Sequence, residues 1–232
     1  MKSRGFATRA VHGPTAGRDA NRALRFPIYA GAAFDFESAE SMAECFSGRK
    51  AGYAYSRIAN PTVDAFERTV TSLEGGLAAV AVSSGMAALS AALLNLLSAG
   101  DNLLSVSSLF GGTYSLLRNV LQPLGIETRF VPADDVRAME EAIDGRTRAI
   151  FLETISNPCM IVPDVGRIAA VARDRKIVVI ADSTVTTPYL FQAGAFGVNL
   201  VIHSTTKYFS GGATSMGGIV VDLGNFDWAA VP

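Results

Sequence analysis

A chain of 232 residues, 49% of them hydrophobic, has enough material for one large domain or a tight pair with a sizeable core. The formal net charge is -1 and the 20 Lys and Arg are spread along the sequence, so nothing argues for nucleic acid or an anionic membrane as partner. Two cysteines, Cys45 and Cys159, make neither a metal-spaced pair nor a disulfide framework, and a reduced, cytoplasmic setting follows as the simplest expectation.

In chain order, the basic start "MKSRGFATRAVHG" is followed by no apolar run and is not read as a secretory signal. Its Arg and Ser suit a transit peptide weakly, and Asp19 argues against one. Residues 1–60 read as an extended arm, broken at Gly13, Pro14, Gly17, Pro27 and Gly31, with "SAESMAECFSG" as a short helix inside it. "NPTVDAFERTVTSLEGG" reads as a helix: Asn60 can cap it and Pro61 suits its first position. Val63, Phe66, Val70 and Leu73 recur at helical spacing, and Gly75 is the stop.

Alternation then begins. The strands are "LAAVAVS", "DNLLSV", "IETRFV", "RAIFLE", "KIVVIAD", "LVIHST" and "GGIVVD". Between them fall the helices "GMAALSAALLNLLSAG", "TYSLLRNVLQPLG", "DVRAMEEAI" and "DVGRIAAVARDR". The first of these helices is too short and too polar at its edges to span a bilayer. Strands apolar on both faces, separated by helices, predict an α/β fold with a mostly parallel sheet covered on both faces. Such sheets bind ligands beyond the carboxyl ends of their strands. That rule singles out "SSGM", "SSLFGGT", "ETISNP", "ADSTVTTP" and "STTK".

No G-x-G-x-x-G, P-loop or G-x-S-x-G signature is present, which leaves dinucleotide, nucleotide and common hydrolase sites without support. Free N–H groups at the start of the helix in "SSGMAAL" suit a phosphate, although a plain strand-to-helix turn would look the same. Asp182 ends a strand and could meet a metal, a ribose or a protonated ring nitrogen, or simply cap the next turn. His203 is expected to be packed or hydrogen-bonded, since no carboxylate or second histidine stands near it in sequence. Lys207 follows three hydroxyl residues, Ser204, Thr205 and Thr206. Hydroxyls for a phosphate, a lysine able to form an imine where it is desolvated, and an acid for a ring nitrogen together describe pyridoxal phosphate.

The ordered set "YAYSRIANPT", "SSGMAA", "LFGGTY", "ETISNP", "ADSTVTTP" and "HSTTKY" resembles the Cys/Met-metabolism, or trans-sulfuration, family of pyridoxal-phosphate enzymes over almost the whole chain. The resemblance implies a fold type I, aminotransferase-like large domain. Lys207 would be the Schiff-base lysine and proton shuttle, and Asp182 the partner of the pyridinium nitrogen. Ser84, Gly85, Met86, Ser204 and Thr206 would surround the phosphate. Asn157 would sit near the ring hydroxyl and the substrate carboxylate, with Glu153 and Thr184 as further cofactor-site residues. Phe110 stands where the family usually has a tyrosine stacked on the ring; it can stack but has no phenol to move a proton. Tyr55 and Arg57 would reach the phosphate of the neighbouring subunit's cofactor, making a homodimer the minimum unit and a homotetramer the expected one.

The tail "GGIVVDLGNFDW" and "SSLFGGTYSL" look most like O-acetylhomoserine sulfhydrylases. The implied reaction replaces the gamma-acetoxy group of O-acetylhomoserine with sulfide or methanethiol, giving homocysteine or methionine. Gly112 stands where methionine gamma-lyases usually carry cysteine. Alternatives are a gamma- or beta-lyase or cystathionine gamma-synthase type of activity, and a non-catalytic cofactor-binding fragment. The domain expectation is an arm over 1–60 and a cofactor-binding large domain over 61–232, ending before the family's small C-terminal domain.

Overall fold

The computed structural model describes residues 5–13, 21 and 23–230. The turn signals Pro14 and Gly17, and Asp19, lie outside the described residues. The chain divides into two compact units, Met1–Ser72 and Leu73–Pro232.

The first unit holds helix α1 (Phe6–His12), helix α2 (Ala39–Phe46) and residues 61–72 of helix α3 (Pro61–Glu74). Helix α1 falls where only an arm was expected. It buries none of its residues, so no apolar stripe marks it in the sequence. Gly13 ends it at φ 61, and the Arg9 guanidinium donates to the Ser72 carbonyl. The expected cap of α3 is present: Asn60 Oδ1 accepts the N–H of Thr62 at 2.8 Å. The Asn60 amide also donates to Tyr29 O and Ser56 Oγ, which pins the segment before the helix. Gly75 ends α3 at φ 70.

The second unit is built on one seven-stranded sheet. Its strands are β1 (Ala78–Val82), β2 (Asn102–Val106), β3 (Glu127–Val131), β4 (Thr147–Glu153), β5 (Val178–Asp182), β6 (Leu200–His203) and β7 (Gly218–Asp222). They lie in the order β1-β7-β6-β5-β4-β2-β3. Pairing is parallel from β3 across to β6, and β7 runs antiparallel to both β6 and β1. Leu103, Leu104, Ile150, Phe151, Ile180 and Ile202 are fully buried, as doubly covered parallel strands require. Strand β1 departs from that expectation: it is an edge strand, and Val80 is 62% exposed.

Helices α4 (Gly85–Leu96), α5 (Gly111–Ser115), α6 (Val136–Glu141), α7 (Val165–Asp174) and α8 (Thr187–Leu190) connect the strands. Leu89 and Leu93 of α4, and Ile168 and Ala172 of α7, supply buried apolar faces. The expected single helix over "TYSLLRNVLQPLG" is three pieces: α5, a π-helical stretch over Leu116–Leu121 and a 3-10 turn over Gln122–Leu124. Pro123 has no N–H for the carbonyl four residues earlier, so regular α-helix cannot run through it. Leu116, Leu117 and Leu121 still reach the core. Among the described residues no helix is long and apolar enough to cross a membrane.

Candidate active site

Strands β1, β2, β4, β5 and β6 deliver their carboxyl ends to one side of the sheet, and a cavity of about 320 Å³ opens there. It is lined from each of the strand ends that the sheet rule singles out. Ser84, Gly85 and Met86 come from the turn after β1, and Phe110 from the turn after β2. Glu153 and Asn157 follow β4, Asp182 and Thr184 follow β5, and Ser204, Thr206 and Lys207 follow β6. Eleven of the thirteen expected site residues therefore meet in one place. The other two, Tyr55 and Arg57, belong to the first unit. Both are exposed there, with the Arg57 guanidinium 5.4 Å from the centre of the Tyr55 ring.

One wall is an anion cradle. Ser84 caps α4, its Oγ accepting the N–H of Ala87 at 3.1 Å, and its carbonyl takes the N–H of Ala88. The N–H groups of Gly85 and Met86 precede the helical ladder and have no acceptor among the described residues. Both residues line the cavity, at the positive end of the helix dipole. Glycine is required at the start of α4. A Cβ on Gly85 would lie 2.6 Å from Ser204 Cβ and 2.9 Å from Ser204 Cα. One on Gly218 would lie 2.0 Å from the Ser84 carbonyl oxygen, so β7 can approach this turn only without a side chain.

Asp182 is both things the sequence allowed: it lines the cavity, and its Oδ1 accepts the N–H of Thr184 at 2.9 Å. Burial holds its acidity weaker than usual, while Thr184 and the nearby His203 oppose the shift. The Thr184 hydroxyl takes the N–H of Ser204 at 2.8 Å, tying the turn after β5 to the turn after β6. Glu153 stands level with Asp182 on the neighbouring strand. Burial pushes Glu153 up to about 7, against the pull of the Phe110 and Asn157 N–H groups that it accepts, and Asp182 adds to the rise.

His203 is packed, as expected, but its partner was not legible: Nε2 lies 2.5 Å from Glu74 Oε1, both side chains fully buried. They are 129 positions apart, and only the fold joins them. Thr206 Oγ1 accepts the N–H of Gly217 at 3.1 Å, pinning the returning loop. Lys207 lines the cavity, is exposed in this chain and has no ion-pair partner among the described residues. Thr113, Ile155, Val185 and Met216 also line the cavity and were missed. The first three lie inside motifs already singled out at strand ends, whereas Met216 sits on a return loop that carries no signal.

The residues present fit pyridoxal phosphate. The cradle of N–H groups and hydroxyls suits a phosphate, and among the described residues the half-buried Asp182 pairs with no Lys or Arg and the Lys207 amine has no ion-pair partner.

The comparisons agree. A Saccharomyces cerevisiae homocysteine/cysteine synthase is 42% identical over 93% of this chain and 49% of its own. An L-methionine gamma-lyase of Pseudomonas putida is 42% identical over 94% of this chain and 54% of its own. A Campylobacter jejuni crystal structure, provisionally named an O-acetylhomoserine (thiol)-lyase and holding N'-pyridoxyl-lysine-5'-monophosphate, superposes with a TM-score of 0.90. It is 39% identical and matches 95% of this chain and 54% of that one. The chain thus spans about half the length of these relatives. The model of the Cys/Met metabolism PLP-dependent enzymes matches residues 7–231, and the chain belongs to that family of pyridoxal-phosphate enzymes.

Proposed function

We propose that the cavity binds pyridoxal phosphate and serves gamma-replacement on O-acetylhomoserine with sulfide or methanethiol, yielding homocysteine or methionine. The observation that carries the reading is the meeting of Lys207, Asp182 and the free N–H groups of Gly85 and Met86 around one cavity. The cofactor, when bound, supplies an electron sink for carbanions next to the amino-acid nitrogen. Asp182 would hold a proton on the ring nitrogen by its negative charge. Gly85, Met86, Ser204 and Thr206 would bind the phosphate. Lys207 Nζ would hold the cofactor and then move protons on and off the substrate carbons. Asn157 would orient the substrate carboxylate, and Phe110 would cover one face of the ring. Tyr55 and Arg57, on an arm spanning 1–60, would serve the neighbouring subunit's phosphate, so a homodimer is the minimum unit and a tetramer the expected assembly. The large domain would be 61–232, in a cytoplasmic enzyme.

Phe110 supports an ester as substrate. An acetate leaving group departs as a stable anion and needs no proton. A thiolate leaving group gains more from a nearby acid, and the ring at 110 has none to give. The methionine gamma-lyase relative favours a lyase as the second reading. Against it, a Cβ at Gly112 would lie 2.7 Å from Phe110 Cε1, so this pose of the ring has no room for cysteine there. The deciding assay supplies O-acetylhomoserine with and without sulfide. Sulfide-dependent homocysteine supports the proposal. A 2-keto acid and ammonia without sulfide means a lyase, and cofactor uptake with no product means a binding fragment.

A further inference from the structure

Both carboxylate oxygens of Glu153 are taken by the backbone of two different turns. Oε1 accepts the N–H of Phe110 at 2.8 Å, and Oε2 accepts the N–H of Asn157 at 3.1 Å. Phe110 immediately precedes α5 in the turn after β2; Asn157 lies in the turn after β4. As the residue before a helix, Phe110 has no carbonyl of a preceding turn to receive its N–H. The Asn157 N–H has no other acceptor among the described residues. Glu153 itself sits at the last position of β4, 5% exposed, anchored by pairing with β5 at Asp182.

We propose that Glu153 is a positioning residue whose carboxylate straps the Phe110 turn to the Asn157 turn and so sets two walls of the cofactor cavity. The inference rests on reading that cavity as a pyridoxal-phosphate site. A carboxylate is required because it alone presents two acceptors and no donor, and hydrogen bonds to an ionised group are the stronger kind. Glutamate length is required because the strand end is fixed by its ladder and the side chain must reach both turns. The ring of Phe110 then has one more restraint. It lies so close over Gly112 that a Cβ there would fall 2.7 Å from Cε1 and 3.2 Å from Cδ1. The strap holds the backbone of Phe110 while the bare backbone at 112 leaves room for the ring. The cost is a buried acid beside the half-buried Asp182, and Lys207 is the cation that shares their cavity.

The test compares wild type with Glu153→Gln. Glutamine keeps the size but offers one acceptor and turns an amide donor toward the other N–H. In the cofactor-free protein, hydrogen exchange should quicken in segments 107–115 and 154–161 together, while 84–89 stays protected. The dissociation constant for pyridoxal phosphate should rise on the order of 10- to 100-fold, as expected for one buried donor left unpaired. Unchanged exchange in either segment overturns the strap, as does loosening of only one. A wild-type measurement keeps the proposal testable if the variant does not fold. The backbone amide resonances of Phe110 and Asn157 should move with one shared midpoint, near the value of about 7 to which burial raises Glu153. Separate midpoints, or no movement, overturn it. If wild type takes up no pyridoxal phosphate, the functional reading fails, while exchange and resonances still judge the strap.

Discussion

The two ends of the same sheet carry acidic clusters that are built in opposite ways. At the amino ends of β2, β3 and β4, Asp144 and Glu127 are matched by arginine. Arg129 reaches Glu127 at 2.9 Å and Asp144 at 2.8 Å, and Arg146 reaches Glu127 at 3.1 Å. The Arg146 N–H and the Arg129 guanidinium hold Asp144 well below the usual carboxylate range, and Arg129 first, then Arg146, lowers Glu127. At the carboxyl ends of β4 and β5, Glu153 is buried and Asp182 half-buried, neither pairs with an arginine among the described residues, and desolvation raises both. A satisfied cluster at one end ties strands together. The pair at the other end accepts backbone N–H groups instead and shares its cavity with Lys207. An acid raised by desolvation beside a second charged group in a cleft is a functional-site candidate.

Removing the lysine breaks the functional end most completely. Lys207→Ala should abolish the visible absorbance of the covalently held cofactor and leave nothing for borohydride to fix. Persistence of that band would refute the proposed attachment. Next comes Asp182→Asn, which removes the charge but keeps the shape. Turnover should fall on the order of 10²- to 10³-fold, by analogy with loss of one preorganised electrostatic contact. Steady-state kinetics with saturating cofactor measures it. Gly85→Ala should destabilise the fold by about 1–3 kcal/mol through overpacking against Ser204 and weaken phosphate binding, read by denaturant unfolding and cofactor titration.

The opposite signs of the acid shifts give a further test. Glu153 has a folded value, about 7, above its unfolded one, so its contribution to stability is present below the unfolded value and lost as pH rises toward 7. Asp144 and Glu127 have lowered values, so theirs is present above the ordinary carboxylate range and lost as pH falls through it. Cofactor-free protein unfolded across pH should lose the first slope in Glu153→Gln and part of the second in Arg129→Ala. Arg129→Ala is expected to have the smallest effect of all. Its partners are well exposed, so the loss should be slight and salt-dependent, with cofactor affinity untouched.

Legibility followed locality. Helix α3 could be read because Asn60, Pro61 and Gly75 are adjacent punctuation around a periodic run. Helix α1 could not, because it buries nothing. The single helix expected over residues 113–125 failed at Pro123, whose effect on its own helix was the readable clue. Strand β1 looked like its neighbours in composition, but its edge position is a property of strand order. The site residues were legible wherever they sit at strand ends within a motif, and Met216 was not.

By itself the sequence determined the alternation, hence the parallel sheet, and which turns carry hydroxyls, glycines, acids and the lysine. Those follow from short-range spacing, which steric and hydrogen-bonding rules convert directly into local structure. Only the tertiary structure decided what meets across the chain. It set the level pairing of Glu153 with Asp182, the burial of Glu74 against His203, and the two turns joined by one carboxylate. Strand order and register bring such groups together across tens of residues, and no local pattern encodes that juxtaposition.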